Sequence, residues 1–353
     1  MKKIILAAVI AAAAVGCANE NRCTISGAAK NVEGYVYLVD VFDSSSVLDS
    51  VQPAGGKFKF TVDAAINSIA AVRGKLKAEQ EGDDNVFYNI VMVEPGNIVV
   101  DIDDTTATTG SPANEAYGRM VKARNELMEQ YYASDSAEER ETISNRMDAL
   151  TAELFAENND NIFGALLMEE LSYEMTGAAI VETVDAFPEA VRNSPSMTAM
   201  REQGMEKMVT DPGQPYIEVS QPDMAGKEVT LSSVIENSKN KYVLVDFWAS
   251  WCGPCMMEVP YLIEAYEKYH DKGFEIYGIS HDTDGDRWRN CVKDRGMKWI
   301  HVSELHRFDN KAAKDYKVRA IPSNFLVDCS TGKIIATNLR GTALEAKLAE
   351  LLD

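Results

Sequence analysis

Apolar positions change period twice along this chain. Between about Cys23 and Asp104 they alternate with polar ones, as in a half-buried strand. Residues 57–62 alternate strictly after the turn pair Gly55-Gly56, and 34–39 form a second strand-like run. Residues 86–93 and 98–102 add two more, separated by the turn sequence Glu94-Pro95-Gly96-Asn97. The pattern predicts a small antiparallel β domain, a sandwich or barrel. Residues 105–112, rich in Thr, Gly, Ser and Pro, read as a linker. Helical spacing then takes over to about Asp211. Tyr117, Met120, Val121 and Met128 form one stripe, and Ile143, Met147, Leu150 and Leu154 another. Ser136 is a candidate N-cap, with Glu138 and Glu139 in the first turn.

Asp211-Pro212-Gly213-Gln214-Pro215 marks the next boundary. Beyond it the spacing predicts a hairpin over 216–219 and 228–231 and a helical turn at 232–236. It then predicts a strand over 241–248, a helix from Gly253, a strand over 274–280 and helices from about Asp286 and Asn310. Strands 324–328 and 333–337 follow, turned by Ser330-Thr331-Gly332, and a helix over 343–352 closes the chain. The order is β-α-β, then a β-hairpin, then α. The expected fold class is multidomain: a β-sandwich-like domain with its linker over 17–112, a helical region over 113–211 and an α/β domain over 212–353.

Composition sharpens the ends more than the middle. The 353 residues carry a net charge of −20, and no clustered Lys and Arg of the kind phosphate contacts need, so nucleic acid is not an expected partner. Lys2 and Lys3 precede a short apolar run, Ile4 to Val15, and Val15-Gly16-Cys17 has small residues before a cysteine. Residues 1–16 therefore read as a lipoprotein signal peptide, with cleavage before Cys17 and lipidation of its thiol. The expected location is the cell envelope, lipid-anchored and facing the periplasm. The competing reading is an ordinary secretory signal. No later stretch is long and apolar enough to span a bilayer.

Of six cysteines, Cys252 and Cys255 form a Cys-x-x-Cys pair between the apolar run 242–248 and a helical pattern. The first sits near a helix N-terminus, where unpaired N–H groups and the helix dipole favour thiolate over thiol. The second lies one turn on, within reach to close a disulfide, and Pro254 suits the first helical turn. The alternatives are a structural zinc half-site or a static disulfide; for zinc there is neither a second Cys-x-x-Cys nor a nearby Cys/His cluster. No metal or cofactor is expected. Asp282-Thr283-Asp284-Gly285-Asp286 starts like a calcium loop, with its glycine misplaced and its terminal Glu missing. Cys23, Cys291 and Cys329 are left over, and the last two read as small hydrophobes.

Residues from about 213 to 353 resemble the thioredoxin superfamily, and in particular its exported thiol-disulfide oxidoreductases of the TlpA and ResA type. The resemblance rests on Val245-Asp246-Phe247-Trp248-Ala249-Ser250-Trp251-Cys252-Gly253-Pro254-Cys255, on Ile321-Pro322-Ser323 before a strand, and on Arg340-Gly341. It implies that Cys252 is the attacking thiolate and Cys255 the resolving one. It also implies that Asp246 or Glu258 takes the proton of Cys255, and that Trp251, Gly253, Pro254, Ile321 and a cis Pro322 form the substrate surface. The partners implied are disulfide-bearing exported proteins and a membrane thiol donor of electrons. The segment from about Cys23 to Asp104 resembles, more diffusely, the small β domain found ahead of such domains in some exported lipoproteins. Two other functions compete: a binding lipoprotein with an accessory redox domain, and a thiol peroxidase.

Overall fold

The computed structural model describes residues 21–42, 45–64, 68–77, 86–103 and 108–353. The leader and Cys17 lie outside the described residues. The chain divides into two compact units, one holding residues up to 167 with 188–196, the other holding 168–187 with 197–353.

In the first unit, strands β1 (Arg22–Ala28), β4 (Lys57–Asp63) and β7 (Gly96–Val99) form one sheet in the order β4-β1-β7. Strands β2 (Val32–Asp40), β3 (Val47–Val51), β5 (Ile69–Leu76) and β6 (Val86–Met92) form a second, β3-β2-β5-β6. Pairing is antiparallel except between β1 and β7. The alternation in β4 is what makes this a sandwich. Phe58 and Phe60 turn inward while Lys57, Lys59 and Thr61 face water. Inside they meet Ile25 and Ile98 of their own sheet and Leu38, Val72 and Val91 of the other. Two long helices follow, α1 (Pro112–Ala133) and α2 (Ala137–Asn158). Ser111 and Ser136 cap them through their side chains. Asn114 exchanges two hydrogen bonds with the Met92 backbone, both 2.9 Å, and ties the start of α1 to the end of β6.

The second unit is built on a five-stranded sheet in the order β12-β11-β10-β13-β14. Here β10 (Tyr242–Trp248), β11 (Phe274–Ser280) and β12 (Ile300–Val302) run parallel. The antiparallel hairpin β13 (Ser323–Asp328) and β14 (Lys333–Thr337) completes it. Strand β10 is apolar almost throughout because helices cover both faces. Leu244 and Trp248 pack with α8 (Gly253–Tyr269), α9 (Gly285–Arg295) and α11 (Thr342–Leu352). Val243, Val245 and Phe247 pack against α7 (Leu231–Ile235) and α10 (Lys311–Asp315) on the other side. The two-residue period puts Asp246 on the face of Leu244 and Trp248, the same face as Cys255.

The helices before the sheet belong to both units. Helix α3 (Ile162–Leu171) leads into α4 (Gly177–Ala186), and the short α5 (Glu189–Arg192) into α6 (Pro195–Lys207). Within the second unit, α4 and α6 cross at two glycines. A Cβ on Gly177 would lie 2.5 Å from the Gly204 carbonyl oxygen, so no larger residue fits there. The Asp211 carboxylate accepts from the Gly177 and Ala178 N–H groups at 2.7 and 2.8 Å, holding the N-terminus of α4.

Sequence and structure differ in four places. The strand expected over 98–102 is β7, Gly96–Val99, which takes in two residues of the expected turn. Strands β1, β3, β5 and β12 were not signalled by apolar alternation. The early hairpin pairs β8 (Ser220–Pro222) with β9 (Glu228–Thr230), later than 216–219. Those earlier residues have other partners: Tyr216 N–H donates to the Gly332 carbonyl, and Ile217 exchanges hydrogen bonds with the Tyr316 hydroxyl. Finally, Cys291 and Cys329 are half-buried, and it is Cys23 that is fully enclosed.

Candidate active site

Residues 249–255 turn the chain sharply from β10 into α8. Cys252 is the N-cap of that helix, and its Sγ accepts from the Cys255 N–H at 3.1 Å. Pro254 occupies the first turn, where no N–H is needed. The two sulfurs are joined in a disulfide, and both cysteines are nearly enclosed, 4% and 2% exposed. Gly253 and Pro254 are at the surface, as is the Trp251 ring, over which the Arg307 guanidinium lies at 4.9 Å. The turn is anchored from beneath. Buried Asp282 accepts from the Ser250 N–H and hydroxyl at 3.0 and 2.5 Å, and from the Ser280 hydroxyl at 2.8 Å.

The second half of the site comes from far along the chain. The Ile321–Pro322 peptide bond is cis, and Cys252 Sγ lies 3.7 Å from the Ile321 carbonyl oxygen. A narrow cavity behind the disulfide is lined by Cys255, Asp246, Glu258, Pro322, Asn324 and Arg340, among others. Both candidate proton acceptors therefore face the same space as Cys255. Burial pushes the Asp246 carboxyl up to about 7. The Arg340 guanidinium opposes that shift and the Glu258 carboxylate adds to it. Glu258 is held differently: its Oε2 accepts from the Gly341 N–H at 2.8 Å.

Three residues of this site carried no role in the sequence reading. Arg340 Nη2 donates to the Pro322 carbonyl at 2.5 Å and so links the cis-proline loop to the buried carboxylates. Asn324 exchanges hydrogen bonds with the Leu339 backbone at 2.8 and 2.9 Å, fixing the strand end that carries Arg340. Asp282 holds the turn ahead of Cys252. A polar residue in an apolar strand, such as Asn324, was the available signal. Asp284 of the calcium-like stretch caps α9 instead. Among the described residues no group of three His, Cys, Asp or Glu is placed to hold a metal. His281 and His301 are buried against aromatic rings.

A dithiol-disulfide pair at a helix N-terminus, opposite a cis-proline loop on this sheet order, defines a thioredoxin-like thiol-disulfide oxidoreductase. The comparisons carry this further. The AhpC/TSA family profile matches residues 212–336, and a domain of unknown function, DUF4369, matches 23–117. The thiol-disulfide oxidoreductase ResA of Bacillus thuringiensis subsp. konkukian is 33% identical over 130 residues, 37% of this chain and 70% of that protein. Tryparedoxin of Trypanosoma brucei brucei is 33% identical over 120 residues, covering 33% of this chain and 79% of the relative. Among solved structures, a thiol-disulfide oxidoreductase from Bacteroides fragilis is 34% identical, covering 39% of this chain and all of that one, with a TM-score of 0.37. The chain belongs to the ResA family of thiol-disulfide oxidoreductases through its C-terminal region.

Proposed function

We propose that this protein is an exported, lipid-anchored oxidoreductase that reduces disulfides on other exported proteins. The observation that carries the reading is the Cys252–Cys255 pair set between the Ile321–Pro322 loop and a buried carboxyl poised near neutrality. In the reduced enzyme the Cys252 thiolate attacks a substrate disulfide. A Cys252–substrate disulfide forms and the first substrate thiolate leaves. Cys255 gives its proton to Asp246, and its thiolate attacks the Cys252 sulfur. That step closes Cys252–Cys255 and releases the second substrate thiolate. Two electrons have passed to the substrate, whose two thiolates take up protons. Asp246 is favoured over Glu258 as acceptor because a general base works best with a pKa near the working pH. Glu258, engaged by the Gly341 N–H, supports it by charge.

The reductive direction rests on the Gly253-Pro254 dipeptide and on Ile321 before the cis proline, which resemble reducing thioredoxins. A membrane thiol donor would return the electrons, and Cys17 would carry the lipid. The anchor rests on the sequence alone, on the short apolar run ahead of Val15-Gly16-Cys17; among the described residues no helix is long and apolar enough to cross a membrane.

Insulin reduction tests this reading. Wild type turns insulin over, and Cys252→Ser abolishes turnover. Peroxide consumption faster than insulin reduction supports the peroxidase reading instead. A Cys252–Cys255 potential as oxidising as about −120 mV overturns the reductive direction. Membrane retention that survives Cys17→Ser removes the lipid anchor.

A further inference from the structure

A groove of about 300 Å³ opens beside the cis-proline loop. Part of its lining is the loop itself, from Lys317 to Ser323, with Pro254 from the start of α8. Tyr316 and Phe325 add to that side, and the opposite side comes from outside the five-stranded fold, with Tyr173 and Glu174 between α3 and α4 and Gln203, Glu206 and Lys207 of α6. This second lining is held firmly. Arg319 pairs with Glu206 at 3.1 Å, and Asn338 Nδ2 donates to the Tyr173 carbonyl at 3.1 Å. Lys207 Nζ reaches the carbonyls of Ser172, Tyr173 and Met175 at 3.4, 3.2 and 2.5 Å, which closes off the end of α3. The chain after α6 is stitched to β14, with Gly213 N–H donating to the Ile334 carbonyl and Ile334 N–H to that of Gln214, at 2.7 and 2.8 Å.

Three features fit one occupant. The groove is continuous with the redox centre, since Pro254, Ile321 and Pro322 border it and Cys252 Sγ touches the Ile321 carbonyl. Among the described residues the backbone N–H groups of Ala320 and Ile321 make no hydrogen bond, although they lead straight into β13. A loop entering a strand with free donors suits main-chain pairing with an extended peptide, with side-chain pockets adding selection. The remaining wall mixes an exposed tyrosine ring, an amide and charges of both signs, and a wall already ordered costs little to bind.

We propose that Tyr173 and Gln203, on the helical segment ahead of the redox domain, select the substrate. They bind the extended polypeptide that flanks the cysteine attacked by Cys252. The helical segment is then part of the substrate site, and a small disulfide would bypass it. The proposal rests on the protein-disulfide reductase reading above.

The test compares insulin with 5,5′-dithiobis(2-nitrobenzoate), a small aryl disulfide, using the full chain. Gln203→Trp fills the groove and Tyr173→Ala strips its rim. Gln203→Trp is expected to lower the ratio of kcat/KM for insulin over that for the aryl disulfide about tenfold, chiefly through KM. Tyr173→Ala, which removes atoms from an exposed ring and keeps the fold, is expected to lower it about threefold. A ratio unchanged in Tyr173→Ala and in any folded Gln203→Trp protein overturns the proposal, whether both reactions persist or both fall together. Wild type unable to reduce insulin at all sinks the underlying reductase reading instead.

Discussion

The two units bury different kinds of side chain. In the first, the buried polar residues are all neutral among the described residues: Asn89, Thr108, Ser111, Asn114, Ser134, Thr151 and Ser194. In the second, Asp246, Glu275, His281, Asp282 and His301 are buried. Four of these five cluster near the redox turn. Asp246 lies behind Cys255, Asp282 holds Ser250, His281 sits against Phe308 beside Trp251, and His301 packs on Trp248. Enclosing an ionisable group is costly unless it is neutralised or partnered. Its concentration at one place marks the chemistry, by an argument separate from the cysteine motif. The cysteines make the same contrast. In β1 burial pushes the Cys23 thiol up to about 11, as expected of a thiol enclosed in an apolar core. Cys252 instead caps a helix, where a thiolate is favoured.

The largest effect that can test this contrast is at the cysteines. Cys255→Ser is expected to stop insulin turnover, by about 100-fold or more, and to accumulate a Cys252–substrate adduct visible by mass. Cys23→Ser should leave turnover unchanged. Equal loss in both variants would break the contrast. Next is Phe60→Ala in the sandwich core, where Phe60 is 1% exposed and packs against Phe58. A loss of about 3–5 kcal/mol is expected in urea denaturation, with turnover per folded molecule kept.

Asp246→Asn sharpens the contrast in both directions. Turnover near neutral pH should fall about 100-fold, because Asp246 is the proposed acceptor of the Cys255 proton. Stability should move the other way. The folded pKa of about 7 lies above the unfolded value. The wild-type carboxyl therefore favours the fold below about pH 4, and that contribution is lost as pH rises through about 7. Above that point Asp246→Asn should be more stable than wild type, by a few kcal/mol in denaturant melts. A variant no more stable at about pH 9 would mean the carboxyl is not buried as drawn.

Legibility in the sequence followed the same division. The run 242–255 could be read because a doubly covered parallel strand is apolar throughout and then breaks at Trp251-Cys252-Gly253-Pro254. Strand β14 was legible to the residue, over 333–337. By contrast, β3 is exposed along nearly its whole length and offers no alternation. Strand β5 opens with four buried residues, Ile69 to Val72, two of them alanine, which a helix would present equally well. Strand β12 has only three residues, with His301 in the middle. At the site, Cys252, Cys255 and Pro322 were legible from local motif. Arg340 and Asp282 were not, because their meaning lies in contacts across 18 residues to Pro322 and 32 to Ser250.

The smallest expected effect concerns His281, and it probes whether the buried ionisable groups cost the second unit stability. Its ring is fully buried, with Phe308 at 4.8 Å and Phe247 at 5.9 Å, and neither ring nitrogen has a hydrogen bond among the described residues. Burial pushes its pKa down to about 4, with neighbouring Asp282 pulling upward. The unfolded chain binds that proton from about pH 6.5 downward, the folded chain only near 4. The neutral ring is therefore compatible with the fold above pH 6.5, and stability drains away as pH falls from there through about 4. His281→Leu keeps the apolar contacts and removes the proton uptake. Its unfolding free energy in denaturant melts should fall less steeply between about pH 6.5 and 4, a difference on the order of 3 kcal/mol at the acid end. Matching slopes for the two proteins would show that the imidazole is solvated and charged at acid pH, so that His281 is not a source of acid lability.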